Sequence, residues 1–310
     1  MTITDLRRTV VLGVALTAVP LTPLLWGSSA ALAQQAPYDV VIVGGTVVDP
    51  ETNLQAIRNV GIRGGKIAAL SQAGLRGRTT VNAKGLVVAP GFVDVHSHAL
   101  FVPGQWLQAF DGVTTAIEGE YGAYPTSLGY NAITSGGGLP LNYGFSSAWF
   151  GARAEVTAGL LQNGTLIKIA AGFSNTVAAK TTGLQRRDRS ALTLALTESG
   201  LRQGGLGIGM PVGFTTLANK TEYIGTGQLA RRFNRPLFSH LRFKNPDADP
   251  NVPSGKDDKS ALQGFQEGIE VSAVTGGVNL LQHINSTATK ALGSVIPMIA
   301  RAQEQGIPVV

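Results

Sequence analysis

From residue 91 to its carboxyl end the chain alternates short apolar runs with amphipathic stretches, and this constrains its fold most. The runs are "PGFVDVHSH", "GVTTAIEGE", "LNYGFSSAWFG", "GGLGIGMPVGF", "RPLFSHLRF", "GVNLLQHIN" and "GIPVV". Between several of them lie helical patterns, among them "SALTLALTESGLRQ", "EYIGTGQLARRFN", "DKSALQGFQEGIEVSAVTG" and "ALGSVIPMIARAQEQ". Strand–helix alternation of this kind calls for a parallel sheet with helices outside it. A (β/α) barrel places working residues at strand carboxyl ends. An open doubly wound sheet uses a crevice at its switch point instead. No GxGxxG opens the first unit, which disfavours the dinucleotide-binding version. The expected class is α/β, a TIM-like (β/α) barrel over residues 91–310 that is incomplete at its C-terminal end, reaching about strand seven.

Residues 38–90 read differently. Short β-rich runs near 39–43, 46–48, 58–63, 66–70 and 86–88 are separated by Gly, Asn and Pro, too closely for βαβ units. A small N-terminal β-sandwich is expected there. Glycine is abundant, 40 of 310 residues against a usual share of about 7%, which fits many tight turns. Residues 1–33 combine Arg7 and Arg8, an apolar stretch and the small-residue ending Ala31-Leu32-Ala33. They read as an export signal cleaved after Ala33, which predicts a periplasmic or secreted protein with no stable membrane insertion. Without them the net charge is +5, and the basic residues are scattered with no interleaved aromatic run. Nucleic-acid binding is therefore not expected. The chain contains no cysteine, so disulfides, thiolate ligands and cysteine nucleophiles are excluded.

There are only four histidines: His96, His98, His240 and His283. Each falls at the carboxyl end of a barrel-strand candidate. His96 and His98 are two apart, so a strand would present both imidazoles on one face. A lone histidine at such a place is most often a packing residue; four of four point to a shared divalent cation. Imidazole with an oxygen donor suits zinc first, and iron and manganese also accept it. The oxygen donor is expected from Glu118 or Glu120 in "TTAIEGEYG", at the end of the next strand. A carboxylate bridging two ions would hold them close enough to share a hydroxide, a good nucleophile near neutral pH. Asp94 reads as a structural residue.

The stretches "DVVIVGGTVVDP", "VGIRGGKIAAL", "GLVVAPGFVDVHSHA" and "GVTTAIEGEYG" resemble the amidohydrolase superfamily. Within it, "GGLGIGMPVGF", "LFSHLRF" and "LLQHI" look most like the N-acyl-D-amino-acid deacylase group. That resemblance implies a metal-dependent hydrolase cleaving a C–N amide bond of a small substrate, an N-acyl-D-amino acid, with one or two zinc ions. His96 and His98 match the ligands of the first strand, and His240 and His283 those of the fifth and sixth. Many such deacylases have a metal-contacting cysteine where this chain has Tyr121, so the bridging role passes to Glu120, with Glu118 second. The segment matching the fourth strand has no lysine to carboxylate, and Lys168 reads as an ordinary stem residue. Arg242 resembles an arginine that meets the substrate's carboxylate, a two-point contact suited to a guanidinium; a structural ion pair is the competing reading. The resemblance also implies an eighth-strand aspartate as proton carrier. It would lie beyond residue 310, so a truncated form of a longer enzyme is expected, with no catalytic acid–base residue in this stretch. A dihydroorotase-like or hydantoinase-like cyclic amidase, and an inactive metal-binding barrel, are the alternatives.

Overall fold

A computed structural model describes residues 37–159, 187–215, 218–242 and 261–310. The expected export signal and Lys168 lie outside the described residues. The chain divides into two compact units between Ala89 and Pro90.

The first unit is a five-stranded sheet made of β1 (Tyr38–Asp49), β2 (Leu54–Arg63), β3 (Lys66–Ser71), β4 (Gly77–Asn82) and β5 (Val87–Val88). Its order is β3-β2-β1-β4, with β5 also on β1. β1 and β2 are antiparallel, as are β2 and β3, whereas β4 and β5 lie parallel to β1. The β2–β3 turn needs positive φ at both Gly64 (57°) and Gly65 (72°), a requirement that favours glycine in two-residue hairpins. The separate runs at 39–43 and 46–48 are one strand interrupted by an irregularity between Ile42 and Gly45. There the Gly44 amide donates to Asn59 Oδ1 at 3.0 Å. β4 was not expected: "GRTTVN" lacks an apolar alternation because all but its first residue are exposed. Among the described residues this unit is one layer rather than two.

The second unit carries β6 (Phe92–Asp94), β7 (Val113–Ala123), β8 (Asn142–Ala148), β9 (Ile208–Met210), β10 (Leu237–Ser239) and β11 (Asn279–Leu281). All neighbouring pairs are parallel, and spatial order follows chain order without reversal. A one-way winding is that of a barrel, since a doubly wound sheet reverses at its switch point. Val309 adds a parallel bridge to Asn279, so "GIPVV" joins the sheet as the seventh run. The sheet curls: the His96 and His283 rings, just past the first and last of the six strands, β6 and β11, have centroids 5.0 Å apart. It is a curled, partial barrel.

The helices are α1 (Val102–Phe110), α2 (Thr126–Ser135), α3 (Trp149–Ala158), α4 (Arg187–Arg202), α5 (Lys220–Arg232), α6 (Ala261–Thr275), α7 (Ile284–Ala288) and α8 (Leu292–Glu304). The sequence pattern anticipates α4, α5, α6 and α8. It misses α3, whose Trp149 and Phe150 continue the apolar run of β8 and are fully buried. An apolar run alone does not separate a buried strand from a buried helix start. One apolar cluster joins Trp149, Phe150, Ile208, Met210, Tyr223 and Leu237. A second joins Leu241, Phe265, Leu281, Val295, Ile299 and Val309. Burying such side chains contributes about 1.5–3 kcal/mol each. Arg153 on α3 and Glu222 on α5 form a fully buried ion pair at 2.7 Å, and Trp149 Nε1 also donates to Glu222 at 2.8 Å. The first apolar cluster thus encloses a charged centre whose hydrogen-bonding atoms are engaged.

Candidate metal centre

β6 ends at Asp94, and Asp94 itself fixes the turn that follows. Its Oδ1 accepts the His96 amide at 3.0 Å and its Oδ2 accepts Gln108 Nε2 of α1 at 2.8 Å. This is the structural role expected of it. Beyond the turn His96 and His98 bring their Nε2 atoms within 3.1 Å of each other.

The neighbouring strand delivers the carboxylates in an unusual way. β7 pairs with β8 in register up to Glu118↔Phe145 and resumes at Ala123↔Ser147. Four residues of β7, 119–122, therefore face one residue of β8. This wide bulge carries Glu120, and glycines make room for its backbone. A Cβ at Gly119 would lie 2.3 Å from the Val95 carbonyl oxygen, and one at Gly209 would lie 2.3 Å from that of Glu120. Gly122 has φ of 70° and a Cβ there would meet the Ser146 carbonyl at 2.3 Å. Bulges of this kind re-aim side chains.

Glu120, only 2% exposed, sits among all four imidazoles. Its Oε2 is 2.8 Å from His96 Nε2 and 3.5 Å from both His98 Nε2 and His283 Nε2. Its Oε1 is 2.5 Å from His240 Nδ1. His283 Nε2 and His240 Nδ1 are 2.9 Å apart. Burial pushes the Glu120 pKa up, but hydrogen bonds from His240, His283, His96 and His98 outweigh it and hold the carboxyl well below the usual range. Two sets of donor atoms result: His96, His98 and Glu120; and Glu120, His240 and His283, each set lying within 4.8 Å. Ring nitrogens about 3 Å apart must share a proton or a cation, because two lone pairs facing each other repel.

Two of the outer nitrogens are also held. Glu118 Oε2 is 2.8 Å from His98 Nδ1, and Glu118 Oε1 accepts the Tyr121 amide at 3.1 Å. Thr287 Oγ1 on α7 is 2.9 Å from His283 Nδ1. Partners on the outer nitrogen fix ring orientation and tautomer in metal sites. Hydrogen bonds donated to Glu118 and then to Glu120 raise the His98 pKa to about 10. Of the two glutamates, then, Glu120 is central and Glu118 backs His98. Thr287 escaped the sequence reading, although its spacing of four from His283 puts both on one side of a helical turn.

The donor set fits a divalent metal: imidazole and carboxylate only, converging, with the outer nitrogens of His98 and His283 oriented. Arg242 follows His240 by two residues but is buried, and its Nε donates to Glu267 Oε2 of α6 at 2.7 Å. Tyr121, at the position where cysteine was expected from the resemblance, places its ring 5.0 Å from that of His98. Burial, then the charges of Glu120 and Glu118, push its phenol above the usual range.

No family model matches the chain. It is similar to D-aminoacylase of Alcaligenes xylosoxydans xylosoxydans, 35% identical over 91 residues that make up 28% of this chain and 19% of the relative. Allantoinase of Escherichia coli (strain SMS-3-5 / SECEC) is 35% identical over 101 residues, 29% of this chain and 22% of the relative. The chain thus spans about a fifth of the length of these relatives. The crystal structure of N-acyl-D-glutamate deacylase from Bordetella bronchiseptica, complexed with zinc and a phosphonate inhibitor, superposes with a TM-score of 0.62 at 20% identity. That match covers 88% of this chain and 58% of the other. Its relatives by sequence thus include D-aminoacylase and N-acyl-D-glutamate deacylase, and its fold is that of solved structures of the same two kinds of amidohydrolase.

Proposed function

We propose that this protein is a metal-dependent hydrolase that cleaves a C–N amide bond of a small substrate, an N-acyl-D-amino acid. The observation that carries the reading is the single carboxylate of Glu120 shared by two histidine pairs. His96, His98, His240, His283 and Glu120 would hold one or two ions, zinc first. When bound, such ions polarise a carbonyl and lower the pKa of water enough to supply a nucleophile near neutral pH. The chain's own residues provide the frame. Glu118 and Thr287 hold two of the imidazoles by their outer nitrogens, so little reorganisation accompanies loading. Tyr121 and Phe214 wall one side of the centre.

Arg242 enters the proposal as the group that meets a substrate carboxylate, with Glu267 fixing its direction. Arg242→Lys then raises KM for N-acyl amino acids and leaves neutral cyclic amides unaffected. A loss of folding instead assigns Arg242 to the ion pair alone. Export with removal of residues 1–33 belongs to the same proposal and is read from the mass of the exported protein, which would begin at Gln34. The test of the activity is metal analysis of the purified protein together with a screen of N-acyl-D-amino acids. Absence of both metal and hydrolysis retires the reading. Cyclic amide hydrolysis is the second reading, favoured by the allantoinase likeness, and hydantoins and allantoin belong in the same screen. Stoichiometric metal without turnover on any amide would mark an inactive barrel.

A further inference from the structure

The four imidazoles belong to a larger closed figure. His96 and His98 have ring centroids 4.8 Å apart, His98 and Tyr121 5.0 Å, and Tyr121 and Phe214 5.8 Å. Phe214 and His240 follow at 4.4 Å, His240 and His283 at 4.3 Å, and His283 and His96 at 5.0 Å. Six rings thus form a closed circuit, four with nitrogen donors gathered on the Glu120 carboxylate and two without. The two non-ligating rings are adjacent and close to parallel, 28° apart, with Tyr121 on the β7 bulge and Phe214 in the turn after β9. Both are only half-buried. One side of the candidate centre is therefore an apolar, π-faced wall in direct continuity with the donor rings.

Resting on the hydrolase reading above, we infer that Tyr121 and Phe214 form the subsite for an apolar, preferentially aromatic, substituent next to the scissile amide. A flat apolar group gains offset-stacked contact with such a pair and loses its hydration. A carboxylate side chain at the same place gives up its water to two electron-rich aromatic faces and to the neighbouring negative charges of Glu118 and Glu120. The wall thus selects by polarity: aromatic and aliphatic substituents are accepted and acidic ones rejected.

Two small hydroxamates test this by binding alone. Acetohydroxamate and benzohydroxamate share the metal-chelating group and differ in the ring. On the zinc-loaded protein, calorimetry is expected to give benzohydroxamate about tenfold tighter binding than acetohydroxamate. Tyr121→Ala should reduce that ratio to about twofold, with acetohydroxamate affinity nearly unchanged, while Tyr121→Phe preserves it. Phe214→Leu, which keeps an apolar volume, should lower the ratio as well and decides the matter if Tyr121→Ala fails to retain zinc. A ratio near one in the unaltered protein, or one that neither Tyr121→Ala nor Phe214→Leu changes, overturns the subsite while leaving the metal reading intact. Failure to retain zinc or to bind either hydroxamate removes the metal reading and the subsite with it.

Discussion

His98 and Glu118 form a pair that looks away from the centre: the carboxylate holds Nδ1 at 2.8 Å while Nε2 faces His96 at 3.1 Å. The pair fixes which nitrogen is offered inward. It also makes His98 a proton store in the metal-free protein, with a pKa of about 10. Loading a cation on Nε2 must displace that proton, since only the neutral ring ligates.

The first expectation follows from this displacement. Metal binding at pH 8 releases a proton from His98, and affinity falls as pH is lowered. In the metal-free protein the raised His98 pKa contributes stability that is fully present below the unfolded value of 6.5 and is lost as pH rises through about 10. Calorimetry in buffers of different ionisation enthalpy counts the released proton. Glu118→Gln should weaken metal binding by about 10–100-fold and flatten the pH dependence.

Glu120 serves both donor sets, so its loss should differ in kind. Glu120→Gln is expected to retain at most one metal ion per chain, and to hold it more weakly than the unaltered protein holds its metal. His283→Ala should remove only the set it shares with His240. Metal content by mass spectrometry after dialysis distinguishes the two variants.

Buried charge predicts a stability effect far from the centre. Removing one partner of the Arg153–Glu222 pair strands the other charge in an apolar cluster, at a cost of about 3–5 kcal/mol. Arg153→Met and Glu222→Leu should each lower the urea midpoint sharply. The double variant should recover much of the loss, because it leaves no unpaired charge.

Alkaline stability reports a second buried network. The Tyr223 hydroxyl donates to Ser239 Oγ at 2.8 Å, and Asn279 Nδ2 donates to it at 3.3 Å, tying α5 to β10 and β11. Burial raises the Tyr223 pKa to about 12. A raised phenol contributes stability that is present below pH 10 and lost as pH rises through about 12. Tyr223→Phe should cost about 1–2 kcal/mol at neutral pH and remove this part of the alkaline loss, read from denaturation midpoints between pH 9 and 12.

Much of this arrangement was legible because local pattern and chemistry agreed. Strand–helix alternation announced the parallel sheet, and His96, His98, His240 and His283 occupied equivalent places in it. Glu120 was legible by type and neighbourhood but not by geometry. Simple alternation puts Glu118 and Glu120 on one side of a strand, whereas the bulge separates their roles, and a bulge depends on tertiary clearances at Val95 and Ser146. β4 was hidden because exposed strands lack an apolar period. Arg242 illustrates a different gap, since Glu267 lies 25 residues away on α6 and only folding brings the two together. The Tyr121–Phe214 stack spans β7 and the turn after β9, a proximity with no local signal.

The excursion of residues 119–122 out of the β7 ladder has a practical corollary for anyone transplanting this constellation onto another scaffold. Five side chains copied onto regular strands would leave the glutamate at the wrong height. The graft has to include Gly119, Gly122 and Gly209, because the empty volumes beside those three α-carbons determine where the carboxylate can stand.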